Sequence, residues 1–182
     1  MMKKLTCIFI VILLAAALTA CGGSSASKPS EAAEKSETEA AVSFETVDID
    51  GNKVSSADIF SQHKITMVNI WGTFCGPCIE EMPDLEVLNG RLAEKDCAII
   101  GIICDVQGPK DEDTIADARE IIGTTGVTYL NLLPWPQLFD VFPAMYVPTT
   151  YFVDSNGQVI GEEAVGARGA DDYEGLVDGL LE

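Results

Sequence analysis

The sequence predicts an α/β domain in which a central mixed β-sheet is flanked by helices and preceded by an N-terminal β-hairpin. Two apolar runs, Lys64 to Ile70 and Cys97 to Cys104, are each followed by an amphipathic helical pattern, and strand-helix-strand-helix order predicts parallel pairing. Near the C-terminus, Asp154-Ser-Asn-Gly157 lies between two apolar segments and signals a hairpin, which adds antiparallel strands. Residues 44–182 are long enough for one core and show no internal repeat.

The first 43 residues stand outside that domain. Lys3 and Lys4 precede an apolar run, Ile8 to Leu18, which is too short for a membrane span of about 20 residues but suits a secretory signal. The run ends Leu18-Thr19-Ala20-Cys21, which resembles a bacterial lipobox. That resemblance implies removal of residues 1–20 and a lipid on Cys21, so the mature protein would be anchored to the membrane; an uncleaved signal anchor would leave the domain on the same side. Residues 21–43 are mostly Gly, Ser, Ala, Lys, Glu and Thr and cannot bury enough apolar surface to fold. They read as a tether with a reach of roughly 25 Å.

Within the domain, Phe44 to Ile49, Asp50-Gly51-Asn52 and Lys53 to Ser55 read as strand, turn and strand. Asp48 to Asn52 has a superficial likeness to a calcium loop, but the later ligands are missing. Lys64 to Ile70 is the central strand. The next helix carries Ile79, Met82, Leu85, Leu88 and Leu92 on one face, with Pro83 expected to kink it. Cys97 to Cys104 is continuously apolar, as a strand covered on both sides should be. Asp111 to Ile122 is a crossover helix, and Val127 to Leu133 a further strand. The aromatic and proline-rich segment Pro134 to Pro143 either fills the core or lines a groove. Thr149 to Val153 and Gln158 to Val165 form the late hairpin, and Asp172 to Leu181 a last helix.

The chemistry is expected at Trp71-Gly-Thr-Phe-Cys-Gly-Pro-Cys78, where the central strand gives way to a helix. At a helix start, unpaired N–H groups and the helix dipole favour a thiolate on Cys75. Cys78, nearly one turn later, is placed to attack a mixed disulfide at Cys75 and close an internal disulfide. Pro77 is tolerated in a first turn, and Gly76 leaves room for a partner chain. A zinc site would need four ligands, and the chain has one histidine, His63, and no second Cys-x-x-Cys, so no metal is expected. A purely structural disulfide remains open. Of six cysteines, Cys7 would leave with the signal; Cys97 and Cys104, if in one extended strand, would lie roughly 23 Å apart and could not pair. Cys104 falls at the strand end near the motif and reads either as a buried small hydrophobe or as an auxiliary redox thiol.

The segment Asn69-Ile-Trp-Gly-Thr-Phe-Cys-Gly-Pro-Cys-Ile-Glu-Glu-Met-Pro83 resembles the active-site segment of the thioredoxin superfamily, in particular its extracytoplasmic TlpA/ResA-type thiol-disulfide oxidoreductases. The resemblance implies the thioredoxin fold and a cis-proline facing the cysteines, matched by Pro148 in Val147-Pro-Thr-Thr-Tyr-Phe152. It also implies a substrate groove formed around Trp71, Phe74, Gly76, Pro77, Val147 and Thr149. Thioredoxin carries a buried acid six residues before its first active-site cysteine, where this chain has Asn69; ResA-like members place a glutamate three residues after the second, matched by Glu81. Glu81 would then take and return the proton as Cys78 becomes a nucleophile; the alternative is a solvated pair with Glu80.

Composition narrows the partners. With 11 basic and 29 acidic side chains the net charge is −18, which argues against nucleic acid and favours a soluble, monomeric, tethered domain. The resemblance implies reduction of disulfides in exported proteins such as apocytochrome c or methionine sulfoxide reductase. Electrons would come from a membrane thiol transporter, and no cofactor is needed beyond the redox-active Cys75–Cys78 disulfide. The Gly-Pro pair between the cysteines matches thioredoxin and leans toward reductant. Two rivals are a thiol peroxidase of the peroxiredoxin type, whose Pro-x-x-x-Thr-x-x-Cys pattern is absent before Cys75, and a binding lipoprotein that keeps the scaffold without the chemistry.

Overall fold

The computed structural model describes residues 41–182. The expected signal segment, Cys21 and the tether as far as residue 40 lie outside the described residues. The chain is already docked at Val42, whose N–H donates to the Gly157 carbonyl at 2.7 Å.

A hairpin opens the domain, with β1 (Glu45–Val47) antiparallel to β2 (Lys53–Ser55). Its turn is organised by Asp48, whose carboxylate accepts from the N–H groups of Asp50 and Asn52 at 2.9 and 2.8 Å and from Asn52 Nδ2 at 2.8 Å. These bonds within the loop account for Asp48, and Gly51 supplies the left-handed residue with φ 87°. A short helix, α1 (Ser56–Phe60), follows directly, capped by the Ser55 side chain. At five residues it is too short to show a periodic pattern, and it was not expected.

Five strands make the main sheet: β3 (Ile65–Trp71), β4 (Cys97–Ile103), β5 (Leu130–Leu132), β6 (Thr149–Asp154) and β7 (Ala164–Val165), in the order β5-β4-β3-β6-β7. β3 lies in the middle, parallel to β4 and antiparallel to β6, and all seven of its residues are buried. Both faces are covered, which is why its sequence is mostly apolar without alternation, with Thr66 and Asn69 its two polar residues. On one face Met67, Trp71 and Ile103 pack under α2 (Gly76–Ala93), α3 (Glu112–Thr125) and α5 (Ala170–Leu181). On the other, Val68, Ile70 and Ile102 pack against Phe44, Phe60 and Phe142, with Leu138 from the four-residue helix α4 (Leu138–Val141).

Two expectations need adjustment. Gln158 to Val165 is not one strand: Val159 makes a single bridge to Val153, Gly161 turns left-handed at φ 67°, and pairing resumes only in β7. The strand in Val127 to Leu133 shortens to three residues, because its parallel register with β4 spans only Leu130 to Leu132. Helix α2 runs on through Pro83, as its apolar spacing to Leu92 predicts, and the exposed proline ring removes one N–H bond without ending the helix. Among the described residues no helix is long and apolar enough to cross a membrane.

Candidate active site

The loop from β3 to α2 is held from below. Thr73 donates its N–H to the two carboxylate oxygens of Asp105 at 3.2 Å each, and its hydroxyl donates at 2.6 Å. This ties the approach to the cysteines to the loop after β4. Cys75 is the N-cap of α2, and the Cys78 N–H points at its sulfur at 3.2 Å. A sulfur in that position receives a backbone donor and the positive end of an 18-residue helix, both of which favour negative charge. Cys75 and Cys78 are joined as a disulfide and are 6% and 1% exposed, so the first cysteine is the one a partner can reach.

Pro148 follows a cis peptide bond and is buried, and the Val147 carbonyl lies 3.5 Å from Cys75 Sγ. The sequence-predicted groove residues divide into two groups. Phe74, Gly76, Pro77 and Val147 line a cavity of about 480 Å³ beside Cys75. Trp71 and Thr149 do not, being 0% and 2% exposed; Trp71 faces the helix side of the sheet and donates from Nε1 to Asn131 Oδ1 at 2.9 Å, while Thr149 donates its hydroxyl to the Tyr146 carbonyl.

The aromatic segment divides as well. Trp135 stacks on Phe44 and Phe142 is fully buried, whereas Phe139 reaches the cavity. Met145 and Tyr146, which complete the cavity wall and are strongly exposed, carried no signal in the sequence beyond lying before Pro148. Cys104 also borders this cavity as a free thiol, and burial together with the Asp105 charge pushes its pKa up to about 11. It therefore stays protonated near neutrality and is a weak nucleophile. Cys97 is buried at the start of β4. A second cavity, of about 470 Å³, lies between the β1-β2 turn and α3 and is lined by no cysteine or histidine. Among the described residues no group of three or more His, Cys, Asp or Glu side chains is placed to hold a metal.

Behind the disulfide sits Glu81, 5% exposed, three residues after Cys78 and on the same buried side of α2. Asn69 Nδ2 donates to its Oε1 at 2.9 Å; the Arg168 N–H and the Tyr173 hydroxyl reach its Oε2 at 3.0 and 3.3 Å. Burial drives its pKa up to about 7 against the opposing pull of these donors and of the Arg168 charge. Asn69 thus fills the place of thioredoxin's acid and binds an acid supplied from the helix. Sequence reasoning reached Asn69 and Glu81 but missed Tyr173 and Asp105. Tyr173 had the look of an ordinary core aromatic in a last helix, and Asp105 was one acid among many.

A mixed sheet with a cysteine pair capping the helix after its central strand, the carbonyl of the residue before a cis-proline beside the outer sulfur and a buried acid behind the inner one defines a thiol-disulfide oxidoreductase of the thioredoxin fold. The AhpC/TSA family model matches residues 38–161, and the chain belongs to that family. Within the thioredoxin superfamily it is of the TlpA/ResA type. It is 29% identical over 148 residues to a protein named thiol-disulfide oxidoreductase ResA from Bacillus thuringiensis (strain Al Hakam), covering 75% of this chain and 74% of that one. It is likewise 29% identical over 142 residues to the thioredoxin-like protein YneN of Bacillus subtilis (strain 168), covering 78% and 79%. Among solved structures, a thiol:disulfide interchange protein of the thioredoxin family from Chlorobium tepidum TLS superposes with TM-score 0.65 at 28% identity, covering 78% of this chain and 95% of that one.

Proposed function

We propose that this oxidoreductase is lipid-anchored outside the cytoplasm and reduces disulfides of exported proteins through Cys75 and Cys78, with no bound cofactor. The observation that carries the reading is the arrangement at Cys75: an N-capping sulfur at the rim of an apolar cavity, 3.5 Å from the Val147 carbonyl, with a buried carboxyl behind its partner.

In the reduced protein the Cys75 thiolate attacks one sulfur of a client disulfide. The client S–S bond breaks, a mixed disulfide forms, and the departing client sulfur leaves as a thiolate that takes a proton from solvent. Cys78 gives its thiol proton to the Glu81 carboxylate and attacks Cys75 Sγ. The Cys75–Cys78 bond forms, and the second client sulfur leaves and is protonated from Glu81 by way of solvent. The client gains two electrons and two protons; the protein gives up both electrons and the Cys78 proton, and the other proton, which Cys75 had released on ionising, comes from solvent. A group with a pKa of about 7 is suited to accept and return a proton near neutrality. Pro148 sets the Val147 backbone alongside the sulfur, where an extended client segment would lie.

Support for the anchor is the Lys3-Lys4 charge, the apolar run to Leu18 and the lipobox-like Leu18-Thr-Ala-Cys21, with residues 21–43 as tether to a monomeric domain at 44–182. Outside the cytoplasm a reductant needs an electron source, which the family likeness assigns to a membrane thiol transporter. By the same likeness the clients would include apocytochrome c or methionine sulfoxide reductase. The test is the reduction potential of the Cys75–Cys78 couple, equilibrated against defined thiol/disulfide buffers. A value near roughly −270 mV fits a reductant, and one near roughly −120 mV would overturn that direction and make the protein a disulfide donor.

A further inference from the structure

Beneath α2, four buried side chains from four elements meet: Glu81 of α2, Asn69 of β3, Thr150 of β6 and Tyr173 of α5, none more than 5% exposed. Asn69 and Thr150 are register partners across β3 and β6. Asn69 Nδ2 donates to Thr150 Oγ1 at 3.1 Å as well as to Glu81, and Thr150 Oγ1 lies 3.1 Å from the Tyr173 hydroxyl, with either oxygen able to donate. Tyr173 in turn reaches Glu81 Oε2.

The two charge states of Glu81 make opposite demands on this cluster. Ionised, the carboxylate needs donors, and Asn69 Nδ2, the Arg168 N–H and Tyr173 supply them. Protonated, it must itself donate, and neither amide nitrogen can accept. The Tyr173 oxygen can. When it does, the Tyr173 proton turns to Thr150 Oγ1 and the Thr150 proton turns away from Tyr173; when Glu81 ionises, the Tyr173 proton returns to Glu81 and the Thr150 proton to Tyr173. No heavy atom has to move. A buried acid otherwise leaves an unpaired polar atom in one of its two states, at a cost that resists the change.

We propose that Tyr173 and Thr150 are positioning residues for the proton step at Glu81: a two-hydroxyl chain that reverses its hydrogen-bond direction each time the carboxyl gains or loses its proton. The inference rests on reading Glu81 as the proton acceptor for Cys78. The other charged or titratable groups that face Glu81 are Cys78 on its own helix, the Arg168 guanidinium ahead of α5 and the Tyr129 hydroxyl ahead of β5. Arg168 keeps one charge throughout. Burial holds both tyrosines neutral, so neither competes for the proton.

The test compares rate-versus-pH profiles for thiol-disulfide exchange in the whole protein and in Tyr173→Phe, Thr150→Val, Glu81→Gln and the Glu81→Gln/Tyr173→Phe double variant. Melting temperatures report on the fold. Tyr173→Phe removes a donor that the ionised state uses more strongly than the neutral state uses the same oxygen as acceptor. The profile's midpoint should therefore move up by roughly half a unit to one unit. Thr150→Val should move it the same way by less, and it carries the test if Tyr173→Phe fails to fold. The double variant should match Glu81→Gln alone. A lowered melting temperature with an unmoved midpoint would mean that Tyr173 only packs, overturning the proposal while leaving Glu81 its role. A Glu81→Gln profile identical to the parent's would overturn the role of Glu81, and the proposal with it.

Discussion

Asn69 Nδ2 and Glu81 Oε1 lie 2.9 Å apart in the buried layer between β3 and α2, an amide and an acid joined with little access to solvent. The amide favours the charged carboxylate, yet burial outweighs it and the pKa rises from 4.5 to about 7. Between those two values the unfolded chain ionises while the folded protein keeps its proton. The folded state binds more protons there, so stability is complete below pH 4.5 and is lost as pH rises toward 7. The loss from this one group is roughly 3 kcal/mol. Glu81→Gln should flatten that part of the stability-versus-pH curve, gaining on the parent as pH rises. Urea midpoints at pH 4.5 and 8 test this; parallel curves would show that Glu81 keeps an ordinary pKa.

Asp105 holds Thr73 by both backbone and side chain, and its charge helps keep the Cys104 thiol protonated. Asp105→Ala should cost about 1–3 kcal/mol through the unpaired Thr73 groups and slow exchange at Cys75. Asp105→Asn retains one acceptor oxygen and should be milder. In both variants Cys104 should alkylate with iodoacetamide at lower pH than in the parent, measured on the oxidised protein so that Cys75 and Cys78 stay protected. An unmoved alkylation profile would leave burial as the only cause of the raised thiol pKa.

How far the sequence is legible depends on whether a feature is local. The apolar runs of β3 and β4, the helix after the cysteines and the cysteine pair are local patterns, and each forms where the spacing places it. Spacing read α2 one residue out of phase at its start: Ile79 was expected on the apolar face, but Cys78 and Glu81 are buried there and Ile79 is only half-buried. A glutamate counts as polar in any periodicity, so a buried one is invisible without its partners. Those partners come from β3, from the loop before α5 and from α5 itself, far apart in the chain. Trp71 misled for a related reason. Adjacent to the motif, it suggested a groove wall, but strand alternation turns the last residue of β3 onto the helix side.

That orientation fixes a further sensitive point at Gly101, which β-sheet register sets between Asn69 and Asn131. A methyl group there would meet Asn131 Oδ1 at 2.1 Å and Trp71 Nε1 at 2.9 Å, the two atoms of one buried hydrogen bond. Gly101→Ala should destabilise by about 1–3 kcal/mol through overpacking, more if the bond is lost. Denaturant midpoints give the cost, and a shifted tryptophan emission in the folded state would show that the indole has moved. Unchanged stability would mean that Asn131 swings aside freely.

The proposed lipid anchor would sit on Cys21. Cys21→Ser should abolish incorporation of labelled fatty acid and shift the protein from the membrane to the soluble fraction, with exchange activity of the purified protein unchanged. Continued membrane association without label would point to an uncleaved signal segment.

The unequal exposure of the two cysteines separates their roles most directly. Cys75 borders the cavity, while Cys78 is 1% exposed behind it and can reach only the sulfur of Cys75. With Cys78→Ser, attack by Cys75 still forms a mixed disulfide, but no second thiolate resolves it, so client proteins should accumulate covalently bound and be released by dithiothreitol. Cys75→Ser should trap nothing, since the remaining thiol is shielded. Non-reducing gels followed by mass spectrometry of the trapped species check both variants and identify the client cysteines. Equal trapping by the two variants would mean that Cys78 becomes accessible on reduction, and the order of attack would have to be reversed or shared.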